Sequence, residues 1–143
     1  MKIDLKEMTV GSALVGKLVW ICDYRREDLS KKAIRHVKPQ EVLVRSNSEL
    51  PANKTVYYTE NHFVTLTKKG TPSSTVIPVF DTTGYRSFTG VALNIFDNQQ
   101  ECIEHYNKQA DDIIKRLDVQ IENAVEALKR DRQEVVDNKI FLG

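Results

Sequence analysis

The stretch Val91-Ala92-Leu93-Asn94-Ile95-Phe96-Asp97-Asn98-Gln99-Gln100 divides the chain into two parts of different character. Val91 to Phe96 reads as a last strand of a β-rich body. Asp97 is a type that caps helix N-termini, and Gln100 follows three residues later at capping-box spacing. Beyond it no Gly or Pro occurs until Gly143. Ile103, Tyr106, Ala110, Ile113, Leu117, Ile121, Ala124, Val125 and Leu128 recur at threes and fours, an amphipathic stripe. The pattern predicts one extended helix, or two helices joined by a tight break. A single helix of this length would project past so small a body. Its stripe then needs a partner, and the simplest partner is another copy of the same helix. The alternative is a helix folded back across its own sheet.

Upstream of the divide the chain reads as short strands between turns. Ala13 to Cys22 is an apolar run broken only by Lys17, which predicts a buried strand. Asp23 to Asp28 reads as a polar connection. Ala33 to Ser46 is a second extended candidate, interrupted by Pro39, and Val56 to Thr67 is a third. Ser46 to Asn53 has turn composition, and Lys68 to Ser74 reads as a loop. Val76 to Phe80 is a fourth strand, where Pro78 predicts an edge or a bulge. The fold class expected is α+β: an N-terminal antiparallel sheet or small barrel, then a long C-terminal helix or helical hairpin. The 143 residues are expected to form a single domain, with a β-rich body over 1–96 and a helical segment over 97–143.

Composition limits the functional classes. Lys and Arg number 21 against 20 Asp and Glu, a formal net charge of +1. General binding to nucleic-acid backbone needs a clear cationic excess, so it is not expected. Cys22 and Cys102 have no metal or redox spacing and read as reduced structural thiols. The N-terminus lacks a signal-peptide apolar region, and no apolar run is long enough to span a membrane, so a cytoplasmic protein is expected. His36, His62 and His105 lie in separate elements without metal-ligand spacing. No phosphate loop, nucleophile elbow or Cys/His pairing is present. The expectation is a binding protein without catalytic residues, metal or cofactor.

The segment Asp81-Thr82-Thr83-Gly84-Tyr85-Arg86-Ser87-Phe88-Thr89-Gly90 concentrates two glycines, an arginine, two aromatics and several hydroxyls. Arg86 offers a planar charged fork to phosphate. Tyr85 or Phe88 can stack on a base, and Ser87 and Thr89 can reach phosphate or ribose oxygens. Asn94 carries donors and acceptors for a base edge or ribose. Arg25 and Arg26 form a second cationic group, and Arg116 lies on the helix beside the apolar stripe. A plain hairpin loop, a solvated loop and a helix-surface ion pair are the structural alternatives at these three places.

This segment, with Leu93-Asn94-Ile95-Phe96-Asp97 leading into the helix, resembles the Thoeris anti-defence sponge proteins of phages, of the first described type. The likeness extends to the length and layout of most of the chain. It implies a homo-oligomer in the host bacterial cytoplasm that sequesters a cyclic ADP-ribose signal without cleaving it, so blocking an immune pathway. It also implies arginines for the pyrophosphate, an aromatic for the base and polar groups for the riboses, in a pocket between subunits. Cyclic oligonucleotides are a further ligand class the resemblance allows. Two readings of other classes compete: a phage structural or assembly protein, and a protein inhibitor of a host enzyme, each acting through the helical interface.

Overall fold

A long β-hairpin organises the N-terminal part of the molecule. The computed structural model describes residues 1–9, 13–26, 34–51, 59–81 and 91–140. Strand β1 (Leu18–Arg26) pairs antiparallel with β2 (Ile34–Ser46), from Leu18 opposite Leu43 to Arg26 opposite Ile34. β2 pairs with β3 (Asn61–Leu66), and β3 with β4 (Pro72–Ile77). On the other side β1 pairs with β7 (Asn94–Phe96), giving a five-stranded antiparallel sheet in the order β4-β3-β2-β1-β7. The sheet form, not a barrel, is therefore the one adopted. Between β4 and β7 lies a small ribbon of β5 (Phe80–Asp81) and β6 (Val91–Ala92).

Several boundaries differ from the sequence expectation. The first strand begins at Leu18, because residues 13–16 turn: Gly16 adopts φ +84° and its N–H donates to the Val44 carbonyl at 2.8 Å. The same strand continues through Asp23-Tyr24-Arg25-Arg26, the first part of the Asp23 to Asp28 stretch expected to be a polar connection, whose residues 27 and 28 lie outside the described residues. Ladder hydrogen bonds need only backbone, so polar side chains do not end a strand whose partner continues. Pro39 does not interrupt β2. It lies where the β1–β2 register shifts, the irregularity at which a residue without an N–H is tolerated. Residues 72–74, expected in a loop, form the first half of β4, and Pro78 lies between β4 and β5. The last expected strand splits at Leu93, whose N–H donates to the Val79 carbonyl at 2.9 Å. Val56 to Tyr58, in the third strand expectation, lies outside the described residues.

Alternation along β1 and β2 gives the sheet two different faces. Val19, Ile21, Val42 and Val44 point to one side. There they meet Phe63, Val79, Leu93, Ile95 and Met8, all fully or nearly buried. Met8 comes from α1 (Lys6–Thr9), a single turn begun where the Asp4 carboxylate accepts the Lys6 N–H at 3.0 Å. The opposite face carries Cys22 and Phe96, packed with Cys102, Trp20 and Tyr106. Residues 1–3 run beside β7: Ile3 N–H donates to the Ile95 carbonyl at 2.8 Å and Lys2 bridges to Phe96. This covers a sheet edge that would otherwise present unpaired backbone groups.

The C-terminal segment is one helix, α2 (Gln99–Asn138), which settles the choice between a single helix and a hairpin. Its cap is Asn98, one residue later than expected. The Asn98 Oδ1 accepts the Glu101 N–H at 2.9 Å, and Glu101 occupies the third helical position that completes a capping-box pair. Asp97 instead pairs with the Met1 amino group, as does Glu101. The chain forms two compact units, Met1–Gln109 and Ala110–Gly143, so the boundary falls inside α2. Among the described residues no helix is long and apolar enough to cross a membrane.

Candidate functional site

β1 emerges from the core face with Asp23 and Arg25 on one side, because residues two apart in a strand share a face. The Asp23 side chain is buried, and Arg25 Nε donates to both of its carboxylate oxygens, at 3.0 and 2.9 Å. Burial pushes the Asp23 carboxyl above its ordinary value, and the Arg25 charge opposes that shift. Two amides complete the surroundings of the carboxylate. Asn94 Nδ2 donates to the Cys22 carbonyl at 3.2 Å and lies 3.4 Å from Asp23 Oδ1 and from Gln109 Oε1. Gln109 Nε2 donates to Asp23 Oδ1 at 3.3 Å, and Gln109 Oε1 accepts the Tyr24 N–H at 3.0 Å. A buried carboxylate is retained only when paired and hydrogen-bonded in this way.

Beside this cluster is an open groove of about 450 Å³. One wall is the N-terminal segment Lys2–Leu5 and the other is Ala92–Ile95, with Arg25 and Asn94 among the lining residues. Asp23 occupies only the Nε edge of the Arg25 guanidinium. Among the described residues its two terminal nitrogens have no hydrogen-bond acceptor. The Asn94 Nδ2 is fully engaged, whereas its Oδ1 has no donor among the described residues. The groove thus offers guanidinium N–H groups, the Lys2 ammonium and one amide oxygen. Asp4, also in the lining, accepts the Lys6 N–H through Oδ1 and adds one negative charge to this wall. Phosphate or carboxylate oxygens fit the two cations, and a hydroxyl or amine fits the amide oxygen.

The structure brings together two of the residues singled out from sequence, Arg25 and Asn94. Both arginines at 25 and 26 are strand residues, not loop residues. Arg26 is not in the groove lining and has an interaction of its own. Arg116 is an exposed residue of α2 in the second unit. Tyr85, Arg86, Ser87, Phe88 and Thr89 lie outside the described residues. The strands they connect are described: Asp81 is opposite Val91 and Phe80 opposite Ala92, and Ala92 lines the groove. Comparison with protein-family models, with characterised proteins and with solved structures finds no match to this chain.

Sequence reasoning missed Lys2, Asp23 and Gln109. Lys2 reaches the groove only because residues 1–3 dock along β7, and Gln109 is separated from Asp23 by most of the chain. No local pattern marks either. A second missed feature is aromatic. Tyr24 stacks on its cross-strand partner His36 with centroids 5.3 Å apart, and Tyr106 tilts against Tyr24 at 5.0 Å. The Tyr106 hydroxyl lies 3.3 Å from His36 Nδ1. The two thiols also meet: Cys22 Sγ donates to the Cys102 carbonyl at 3.4 Å, and both residues are fully buried and free. Hydrogen bonding to Cys102 and burial push the Cys22 thiol up, while accepting from Cys22 lowers Cys102. Among the described residues no cluster of His, Cys, Asp and Glu could hold a metal ion.

Proposed function

We propose that the protein binds and sequesters a compact phosphorylated nucleotide in the groove lined by Lys2, Arg25 and Asn94, without cleaving it. The observation that carries this reading is Arg25. Its guanidinium is held by a buried carboxylate, and among the described residues its terminal N–H groups have no acceptor, in a groove that Lys2 also lines. Fixing the fork in advance lowers the ordering cost of gripping a phosphate. The Asn94 oxygen supports recognition of a ribose hydroxyl or an exocyclic amine. The segment bearing Tyr85, Arg86, Ser87, Phe88 and Thr89 leads in sequence into β6, whose Ala92 lines this groove, which makes those residues candidates for the same ligand. A cyclic ADP-ribose isomer, the dianion the resemblance implies, supplies phosphates, riboses and a base in one compact molecule. The immune-blocking role follows from that ligand.

Calorimetric titration with cyclic ADP-ribose isomers tests the reading. Losing one charge-assisted hydrogen bond costs about 1.5–3 kcal/mol. Arg25→Ala and Arg86→Ala are therefore each expected to weaken binding by roughly ten- to a hundredfold or more. Ligand recovered by denaturing a saturated complex is expected to be intact. If Arg25→Ala binds like wild type, the groove is not the phosphate site. A cleaved product accumulating in proportion to protein would replace sequestration by catalysis.

A further inference from the structure

The chain holds two cysteines, and the fold brings them together. Cys22 is on β1 and Cys102 is in the first turn of α2, 80 positions apart. The Cys22 Sγ lies 3.4 Å from the Cys102 carbonyl oxygen, and the two thiol groups also interact with each other. Both residues are fully buried, in a small apolar cluster with Phe96, Trp20 and Tyr106. A lone buried thiol is inert. Here each sulfur has a second one against it, the proximity that a bond between them needs. With no other cysteine in the chain, a bridge within the molecule has a single pairing. The two thiols are also unequal. Accepting from Cys22 lowers Cys102, whereas Cys22 is pushed up and keeps its proton.

The pair adjoins the polar cluster around Asp23. Cys22 immediately precedes Asp23, and its carbonyl accepts the Asn94 Nδ2 at 3.2 Å. Cys102 and Gln109 are two turns apart on α2 and so share the face turned to β1. Gln109 reaches Asp23 at 3.3 Å and the Tyr24 N–H at 3.0 Å through neutral hydrogen bonds. Each such bond contributes little net stability. A covalent link from Cys22 to Cys102 holds the same two elements far more firmly. It also closes a loop of the 80 positions between them, and the constraint on the unfolded chain grows with loop length.

We infer that Cys22 and Cys102 are a peroxide-sensitive dithiol whose oxidation to a disulfide locks the start of α2 onto β1. The Cys102 thiolate attacks hydrogen peroxide and breaks its O–O bond, becoming a sulfenic acid, and the released hydroxide leaves as water. The Cys22 sulfur then attacks the Cys102 sulfur. The S–O bond breaks, and its hydroxide leaves as water with the Cys22 proton. Two thiols and one peroxide give one disulfide and two waters. The inference is independent of the ligand reading, and its test uses no ligand. The native full chain, treated with hydrogen peroxide and then alkylated in denaturant, is expected by mass spectrometry to be an unalkylated monomer lacking two hydrogens. Dithiothreitol is expected to restore both alkylatable thiols. The urea midpoint is expected to be higher for the oxidised protein. Hydrogen exchange of the Tyr24 N–H, which Gln109 Oε1 accepts, is expected to be slower. Cys22→Ser and Cys102→Ser, if folded by circular dichroism, are expected to show neither change with peroxide; if they do not fold, wild type before and after dithiothreitol gives the same comparison. Thiols still alkylatable after peroxide, sulfinic acid in place of the bridge, or disulfides only between molecules would each overturn the inference. So would a bridged monomer whose urea midpoint and Tyr24 exchange match those of the reduced protein.

Discussion

At residue scale, burial has made His62 a stability determinant rather than a ligand. The side chain is fully buried, and its Nδ1 donates to Asn47 Oδ1 at 2.9 Å, while Asn47 Nδ2 holds the Thr59 carbonyl at 2.7 Å. Burial lowers the His62 pKa below the ordinary 6.5. The folded chain then binds fewer protons than the unfolded one just below that pH. The stability His62 contributes is complete above 6.5 and is lost as pH falls towards the folded value. Urea melts at pH 7.5 and 5.5 are expected to show wild type less stable at the lower pH. His62→Asn, which keeps a donor for Asn47, is expected to flatten part of that slope. His105 is lowered in the same direction and accounts for a remainder. A slope unchanged in His62→Asn would show that protonation of His62 is not coupled to folding. None of this was legible in the sequence, where His62 stood in a strand region with no sign of which face it occupied.

At element scale, the start of α2 shows how a local signal can be correct in kind and wrong by one residue. Asp97 and Asn98 are both good cap types, and Gln100 and Glu101 are both good third-position partners. The N-terminal segment decides between them. The Met1 amino group pairs with Asp97 and Glu101, and the Asp97 N–H donates to the Met1 carbonyl at 3.2 Å, which leaves Asn98 to begin the helix. Asn98→Ala is expected to cost about 1 kcal/mol by denaturant unfolding, whereas Asp97→Asn keeps the cap and is expected to cost less. Equal costs would mean the cap is shared. The extension of β1 to Arg26 has a related origin. A window of Asp, Tyr and two Arg has no apolar periodicity, and only the presence of β2 opposite it extends the ladder. That extension places Arg25 on the face of Asp23 and makes the groove.

At the scale of the whole molecule, one substitution tests the stripe of α2. Leu117 lies between Ile113 and Ile121 on the stripe, and Leu117→Glu puts a charge on the face for which the sequence predicts a second copy as partner. It is expected to leave α2 helical and to reduce self-association in sedimentation; self-association of unchanged affinity would place its interface elsewhere. The α+β layout, the helix as a long amphipathic element and the stripe itself were determined by sequence alone. They follow from the residue types and their spacing, which act within a turn or two of the chain. The tertiary structure decided what depends on distant partners. It extended β1 past its apolar run, docked Lys2 opposite Phe96, and brought Gln109 to Asp23. It also made Cys22 and Cys102 neighbours across 80 positions. Such contacts are set by sheet order and by which face each side chain takes, and neither is written in any one segment of the chain.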